Sequence, residues 1–154
     1  MGVEIERKFR VKDNSWKDKG KGIHFHQGYL TDDINRVVRV RVAGDEAFLT
    51  IKGINKGTRR AEFEYPIAVS EANSMLSDLC LKPTIEKHRY RIDYKGKTWE
   101  IDEFHGENEG LIIAEIELIS ESEIFEFPPW LGEEVSHDPR YYNSNLVSFP
   151  FSKW

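Results

Sequence analysis

Acidic residues in several short stretches of the sequence alternate with apolar ones, and their spacing is suited to binding a cation. Glu4 and Glu6 stand two residues apart, and so do Glu115 and Glu117. In a β-strand this spacing places two side chains on one face, about 6.5 to 7 Å apart. Carboxylates at that distance repel each other unless a cation lies between them. The two pairs therefore predict a cation site.

Basic residues show the same spacing. Arg39 and Arg41 would share one strand face, and Lys87, Arg89 and Arg91 would share another. Such rows of cations repel each other unless an extended anion lies alongside, and guanidinium and ammonium groups bind phosphate oxygens. Carboxylate oxygens are the ligands that hard divalent ions such as Mg²⁺ and Mn²⁺ prefer. The two kinds of row together suit a metal-bound polyphosphate.

Strands are needed to hold these residues in phase, and period-two alternation predicts strands over most of the chain. Turn residues at 43–46, 53–57 and 94–97 predict antiparallel hairpins between them. The sequence thus indicates an α+β domain that is mainly β. The predicted strands are residues 3–11, 24–31, 37–42, 47–52, 60–67, 85–94, 97–103 and 111–119.

The polar faces of these strands are almost wholly charged, with eight acidic and eight basic residues. For any single residue the simplest interpretation is a solvated cross-strand ion pair, which contributes about 0 to 1 kcal/mol. For the whole set we favour a closed sheet that turns its charged faces inward around a polar channel. One or two divalent ions would then leave this balanced lining with an excess of positive charge, which suits a triphosphate.

Three short helices are predicted besides the strands. Residues 70–79 carry apolar side chains at helical spacing behind Ser70 as N-cap, and 120–127 begin with a capping box. Asp138 followed by Pro139 predicts a third helix that runs through residue 146. The aromatic residues beyond it are expected to pack against this helix and the tail, or to form a contact in a homodimer.

Composition excludes several classes of protein. The 154 residues suffice for one domain, 1–154, and 22 Lys and Arg against 27 Asp and Glu give a net charge of −5, which argues against a nucleic-acid partner. The single cysteine, Cys80, cannot form an intrachain disulfide, which indicates a reducing compartment. No stretch reaches the roughly 18 apolar residues that span a membrane. We therefore expect a cytoplasmic protein with no membrane partner.

The order of the charged motifs resembles the CYTH superfamily, also called triphosphate tunnel metalloenzymes. Residues 4–8, EIERK, match its ExExK signature, and the tail at 129–143 resembles its short bacterial branch. The resemblance implies an antiparallel eight-stranded closed β-barrel with short flanking helices, whose lumen binds triphosphate. Further matches are QGYL (27–30), VRVR (38–41), LTIK (49–52), RAEFE (60–64), KHRY (87–90), WEID (99–102) and AEIEL (114–118).

The resemblance also implies a role for each motif. Tyr29, assisted by Lys8, would activate or orient the attacking water, and activity would then rise above neutral pH. An aromatic packed at the barrel mouth is the alternative for Tyr29. Arg91 and Glu100 follow from strand phase alone and are expected to pair near the rim. The implied metal ligands are Glu4, Glu6, Glu62, Asp102, Glu115 and Glu117. The implied phosphate-binding residues are Lys8, Arg39, Arg41, Lys52, Arg60, Lys87 and Arg89.

The implied activity is the hydrolysis of inorganic triphosphate to diphosphate and phosphate, with Mg²⁺ or Mn²⁺ as cofactor. A nucleoside or thiamine triphosphatase is the first alternative and a class IV adenylate cyclase the second. A noncatalytic module that binds polyphosphate or nucleotide is the third.

Overall fold

The computed structural model describes residues 2–154 of the chain. Within that range it contains nine β-strands, one α-helix, α1 (Val69–Asp78), and five short 3₁₀ helices. The strands are β1 (Gly2–Val11), β2 (Gly22–Tyr29), β3 (Val37–Ala43), β4 (Glu46–Lys52), β5 (Arg59–Ile67), β6 (Ile85–Tyr94), β7 (Lys97–Phe104), β8 (Ile112–Glu117) and β9 (Leu131–Glu134). The 3₁₀ helices are Lys17–Lys19, Gly106–Asn108, Pro139–Tyr141, Asn143–Leu146 and Phe151–Lys153.

Eight of the strands form a closed antiparallel barrel, which confirms the predicted fold class. Their order is β5-β4-β3-β2-β6-β7-β8-β1, and β1 closes the ring because it also pairs with β5. Along β1, Lys8 lies opposite Glu115 of β8, whereas Glu4 lies opposite Arg60 of β5. The first strand therefore joins the two ends of the sheet and carries its charged face into the barrel.

The hydrophobic core lies largely outside the barrel wall, because the strands turn their apolar faces outward. Phe9, Trp99 and Trp130 pack edge to face, with ring centroids 5.6 Å apart for both Phe9–Trp99 and Trp99–Trp130. A second cluster packs Leu76 of α1 against Val40 of β3. Burying these side chains against outer segments stabilises the fold and leaves the interior free for polar groups.

One barrel end is packed by the C-terminal segment. Tyr141 and Leu146 of that segment belong to a third buried cluster with Tyr29, Phe104 and Ile113 of the strands. These buried side chains hold the C-terminal segment against this end of the barrel.

Helix α1 confirms the predicted helix, but its N-cap is Ala68 and not Ser70. The helix predicted at 120–127 is wrong. Glu123 accepts a hydrogen bond at 2.6 Å from the Ile119 amide, and not from the Ser120 amide that the predicted capping box would use. The chain continues without helix, because Pro128 and Pro129 disfavour helical backbone before them and the nearby aromatic rings pack on the barrel.

The third predicted helix is two short 3₁₀ helices and not one α-helix. Asp138 caps the first by accepting from the Arg140 amide at 3.1 Å. Tyr142 between them is extended, with φ −71° and ψ 128°, and separates the two turns. Trp154 packs on Tyr141 with ring centroids 4.9 Å apart, so the tail aromatics pack within the chain as expected. The homodimer remains a prediction.

Strand β9 escaped prediction because four residues show too little alternation. It pairs with β1 at Phe9 and Val11, beyond the point where β1 leaves β5. No helix within residues 2–154 combines the length and apolar character needed to cross a lipid bilayer.

Candidate active site

The barrel encloses a cavity of about 220 Å³ whose wall is dominated by charged side chains. Strand alternation alone brings them together, because every second residue of each strand faces the lumen. Of the residues predicted for the site, Asp102 does not line this cavity. Those that do are Glu4, Glu6, Lys8, Tyr29, Arg39, Arg41, Lys52, Arg60, Glu62, Lys87, Arg89, Glu115 and Glu117.

Two lysines each lie between two carboxylates. Lys8 Nζ donates to Glu6 Oε1 at 2.9 Å and also to Glu115 Oε2. Burial alone would lower the pKa of Lys8, but attraction from Glu115 and Glu6 raises it well above its usual range. Both acids are therefore bridged by a permanently charged ammonium.

Lys52 is the second bridging lysine. Its Nζ lies 3.1 Å from Glu4 Oε1 and 3.3 Å from Glu62 Oε2. The ammonium thus joins β4 to β1 and β5 across the seam that closes the barrel, where the two carboxylates would otherwise repel each other.

Asp102 lies behind the cavity wall and is fully buried. Its Oδ1 accepts from Arg89 Nε at 2.7 Å, and its Oδ2 accepts from Arg89 Nη2 at 2.9 Å and Lys87 Nζ at 2.7 Å. Burial would raise the pKa of Asp102, but Arg89 and Lys87 hold it far below its usual value. Asp102 therefore fixes two cations, and its role as a metal ligand stays a prediction.

Burial disfavours the charged form of two cations in the lining, Lys87 and Arg41. It lowers the pKa of Lys87 to about 7, and Arg89 and Arg41 add to the effect against the attraction of Asp102. Burial with repulsion from Arg39 and Arg89 lowers the pKa of Arg41 to about 9. Crowded cations whose charged form is disfavoured gain strongly from an added anion, so the lining favours an anionic ligand.

Arg39, which also lines the cavity, is only partly paired within the protein. Its Nη2 donates to Thr50 Oγ1 at 3.1 Å, and Glu64 lies 3.4 Å from the same nitrogen. Its Nε is buried, however, and has no hydrogen-bond partner within residues 2–154. A buried unpaired donor costs about 1 to 3 kcal/mol, so this guanidinium is incompletely satisfied by the protein.

The donor set fits a divalent metal ion by its chemistry. Burial raises the pKa of Glu117, and repulsion from Glu4, Glu62 and Glu6 raises it further, so these four carboxylates share one crowded region. Oxygen ligands of this kind suit Mg²⁺ or Mn²⁺. Over the described part of the chain no three acidic, imidazole or thiol groups already converge on a metal position. Ammonium groups of lysine lie between the acids instead.

Tyr29 is buried in the wall, and its hydroxyl accepts a hydrogen bond from Gln27 Nε2 at 3.1 Å. Lys8 is held by its two carboxylates, and no hydrogen bond joins it to Tyr29 within residues 2–154. The catalytic pairing of the two therefore stays a prediction. Arg60 lines the cavity while its Nε and Nη2 donate to the Gly53 carbonyl at 3.2 and 3.0 Å.

The rim pair predicted from strand phase is present. Arg91 Nη2 lies 3.2 Å from Glu100 Oε2, and Glu100 also contacts Arg89 Nη1 at 3.2 Å. A larger second cavity of about 590 Å³ adjoins this region and is lined in part by Ile23 and Phe25. The side chains that line both cavities are Arg41, Glu64, Arg89 and Arg91.

Uncharged residues of the site were missed. Gln27 is fully buried and accepts from Arg41 Nε at 2.9 Å. Its phase with Tyr29 on β2 was the signal that could have identified it. Asn143, which lines the cavity from the C-terminal segment, gave no such signal because that segment lacks strand periodicity.

Comparisons with known proteins agree with this geometry. The model of the CYTH domain family matches residues 2–142. The inorganic triphosphatase of Acetivibrio thermocellus is 53% identical over 154 residues, which covers 100% of this chain and 99% of that relative. The inorganic triphosphatase of Nitrosomonas europaea is 37% identical over 150 residues, with 94% and 97% covered. The crystal structure of an inorganic triphosphatase superimposes with a TM-score of 0.64 at 35% identity, over 93% of this chain and 96% of the other.

Proposed function

The chain belongs to the CYTH domain family, and from this premise we propose that it hydrolyses inorganic triphosphate to diphosphate and phosphate in a divalent-metal-dependent reaction. The observation that carries the proposal is the lumen itself, in which a row of buried cations faces a crowd of carboxylates. Such a lining is suited to a strongly charged anion together with a metal ion.

The chain's own residues supply the binding and the electrostatic part of catalysis. Arg39, Arg41 and Arg89 would hold phosphate oxygens and offset the charge that spreads over them in the transition state. Lys8 and Tyr29 would orient the attacking water from one side of the lumen. Because Gln27 donates to the Tyr29 oxygen, the hydroxyl proton of Tyr29 is free to donate to another group.

The carboxylates would hold the metal ion. When bound, the ion would neutralise phosphate charge and lower the pKa of a coordinated water. The residues proposed to hold it are Glu4, Glu6, Glu62, Asp102, Glu115 and Glu117. Mg²⁺ or Mn²⁺ is the proposed ion, since all these ligands are carboxylates.

A nucleoside or thiamine triphosphatase is the second candidate, and the second cavity favours it. That cavity adds apolar side chains, Ile23, Phe25 and Phe48, to the phosphate-facing Arg41 and Arg89. An organic group attached to the triphosphate would find contacts there.

Release of orthophosphate from tripolyphosphate, ATP and thiamine triphosphate, each with Mg²⁺, Mn²⁺ or EDTA, tests the proposal. We expect the fastest release from tripolyphosphate with metal and none with EDTA. Arg41→Ala should reduce kcat/KM by roughly a hundred-fold, since it removes a charge from the transition-state region. Arg36→Ala, which breaks an exposed ion pair with Asp33, should leave the rate unchanged.

Four outcomes would contradict the proposal. Turnover that persists in EDTA would show that the reaction does not need a divalent metal ion. Faster release from ATP or thiamine triphosphate would favour the second candidate, and cyclic AMP formed from ATP would indicate a cyclase. Tight binding of tripolyphosphate without turnover in any metal would leave a binding module.

We also propose that the enzyme acts in the cytoplasm without nucleic-acid or membrane partners. The net charge of −5 opposes a polyanionic partner, and the one cysteine, Cys80, is buried and unpaired as a reducing compartment would leave it.

A further inference from the structure

Asn143 brings a neutral amide into a cavity wall that is otherwise mostly charged. It begins the 3₁₀ helix Asn143–Leu146 and lines the cavity with its neighbours Tyr142 and Ser144. Its Oδ1 accepts from Lys87 Nζ at 2.9 Å and from Gln27 Nε2 at 3.1 Å. The C-terminal segment thus contacts two strands of the barrel through one amide oxygen.

The orientation of this amide follows from the chemistry of its partners. A lysine ammonium can only donate, so Asn143 must present its oxygen to Lys87. The same reasoning fixes Gln27, because Arg41 Nε can only donate and lies 2.9 Å from Gln27 Oε1. Gln27 then presents its NH₂ group to Asn143 Oδ1 and to the hydroxyl of Tyr29. Neither amide can flip without placing two donors against each other.

The Nδ2 group of Asn143 is left over from this network. It has no hydrogen-bond partner within residues 2–154, whereas Asn143 Oδ1 has two. Two side-chain donors in that range are both fully buried and unpaired, Arg39 Nε and Trp99 Nε1. Asn143 Nδ2 is unpaired in the same range but is not one of them, so it is accessible. Since Asn143 lines the cavity, two amide hydrogens remain free to donate to a ligand there.

We propose that Asn143 is a substrate-contacting residue whose Nδ2 donates to a phosphate oxygen while its Oδ1 fixes Lys87 and Gln27. This inference rests on the proposed function, since it assumes that a triphosphate occupies the lumen. A neutral donor at this position contacts the anion without adding repulsion to Arg41 and Arg89, whose guanidinium groups already crowd one another. The C-terminal segment then takes part in substrate binding as well as in packing.

Two substitutions separate substrate contact from mere support. Asn143→Ala removes both the donor and the acceptor. Asn143→Asp keeps an oxygen that accepts from Lys87 and Gln27 but loses the donor and adds a negative charge near the phosphate. Asn145→Ala is the matched control, because Asn145 lies in the same 3₁₀ helix and donates to the Pro139 carbonyl at 2.8 Å without lining the cavity.

The measurements are kcat and KM for tripolyphosphate with Mg²⁺, and the rise in Tm that tripolyphosphate causes in EDTA. We expect Asn143→Ala to reduce kcat/KM by roughly ten- to a hundred-fold, the range for one hydrogen bond to a charged group. Asn143→Asp should fall below Asn143→Ala and lose most of the ligand-induced rise in Tm. Asn145→Ala should lower the Tm of the free protein but keep kcat/KM within about two-fold of the parent chain.

An Asn143→Asp protein as active as the parent chain, or more active than Asn143→Ala, would overturn the inference, because support of Lys87 would then suffice. If Asn143→Ala fails to fold, Asn143→Asp alone decides, since it keeps both accepted hydrogen bonds. If the parent chain binds tripolyphosphate but never releases phosphate, the proposed function fails. The binding measurement in EDTA would then still test the contact.

Discussion

The side chains in this lumen are arranged to bind a ligand, and this arrangement lowers the stability of the ligand-free protein. Carboxylates crowd around Glu117, cations crowd around Arg41, and Arg39 keeps a buried donor unpaired within residues 2–154. Each of these features raises the free energy of the empty fold. A metal ion and a polyphosphate would relieve the first two together.

Glu117→Gln should therefore stabilise the metal-free protein. The pKa of Glu117 is raised by burial and by its acidic neighbours, so its ionised form is disfavoured in the fold at neutral pH. Burial of Glu117 is only partial, because much of its surface stays exposed, and solvent screening therefore limits the gain to a Tm higher by roughly 1 to 3 °C in EDTA. The same substitution should reduce the rise in Tm caused by Mg²⁺ and the rate with tripolyphosphate.

Glu126→Gln supplies the control, because it removes the same charge from an exposed position outside the lumen. It should alter neither the Tm in EDTA nor the response to Mg²⁺. A lower Tm for Glu117→Gln in EDTA would show that the carboxylate stabilises the fold and would contradict the crowding argument.

Short elements outside the barrel depend on a few polar contacts. Strand β9 is tied to β1 by Arg7, whose Nε and Nη2 donate to Glu134 at 2.8 and 2.7 Å. Ser136 Oγ also donates to Glu134, at 2.6 Å. The bond from Arg7 chiefly, then that from Ser136, lowers the pKa of Glu134 against the effect of burial.

This lowered pKa gives β9 a pH-dependent contribution to stability. A carboxylate with a depressed folded-state pKa stabilises the fold fully above its ordinary pKa of about 4.5 and loses that effect as pH falls through the folded value. Glu134→Gln should lower the free energy of unfolding by about 1 kcal/mol at pH 7. In urea unfolding the difference from the parent chain should narrow as pH falls below about 4.5.

The matched control is Glu133→Gln, because Glu133 is exposed and has no salt bridge within the described residues 2–154. Its effect should stay near zero at both pH values. A difference for Glu134→Gln that is constant with pH would mean that packing, and not the charge, accounts for the loss.

The sequence predicted those elements whose residues repeat with a local period. Alternation placed Arg39 and Arg41 on one face, and the barrel places both in the lumen. The signal failed where tertiary contacts decide. Ser120 and Glu123 have the spacing of a capping box, yet Glu123 bonds to the Ile119 amide instead, and the following prolines and aromatic packing prevent a helix. Asn143 enters the site only because the C-terminal segment folds back over the barrel end.

The sequence also could not predict how deeply each acidic residue of the site is buried. Glu115 and Asp102 occupy equivalent phases on neighbouring strands, but Glu115 lines the cavity and Asp102 lies behind it. The difference arises because Lys87 and Arg89 both turn toward Asp102 and cover it. This arrangement depends on three side chains from two strands, so the spacing of residues along the sequence does not predict it.

The barrel at the centre of the molecule is closed by its first strand. β1 pairs with both β5 and β8, so the lumen and the apolar clusters around it depend on one another. Three of the tryptophans, Trp16, Trp99 and Trp130, lie in the cluster outside β1 and β7, and Trp154 packs at the end filled by the tail. Fluorescence and backbone signals therefore report on both regions.

Urea unfolding should consequently be a single cooperative transition. We expect the midpoints from tryptophan fluorescence and far-UV circular dichroism to coincide, as they do for two-state domains. In Trp154→Phe both midpoints should fall together, because the remaining tryptophans report on the same event. A separate fluorescence step that disappears in Trp154→Phe would mean that the C-terminal segment unfolds independently of the barrel.

The second cavity shares part of its lining with the lumen. Arg41 and Arg89 line both spaces, so a phosphate held by these cations would lie at the boundary between them. The further phosphates of a linear polymer longer than three units would then lie against the side chains of the second cavity, and selection for three phosphates would come from where along the chain water attacks.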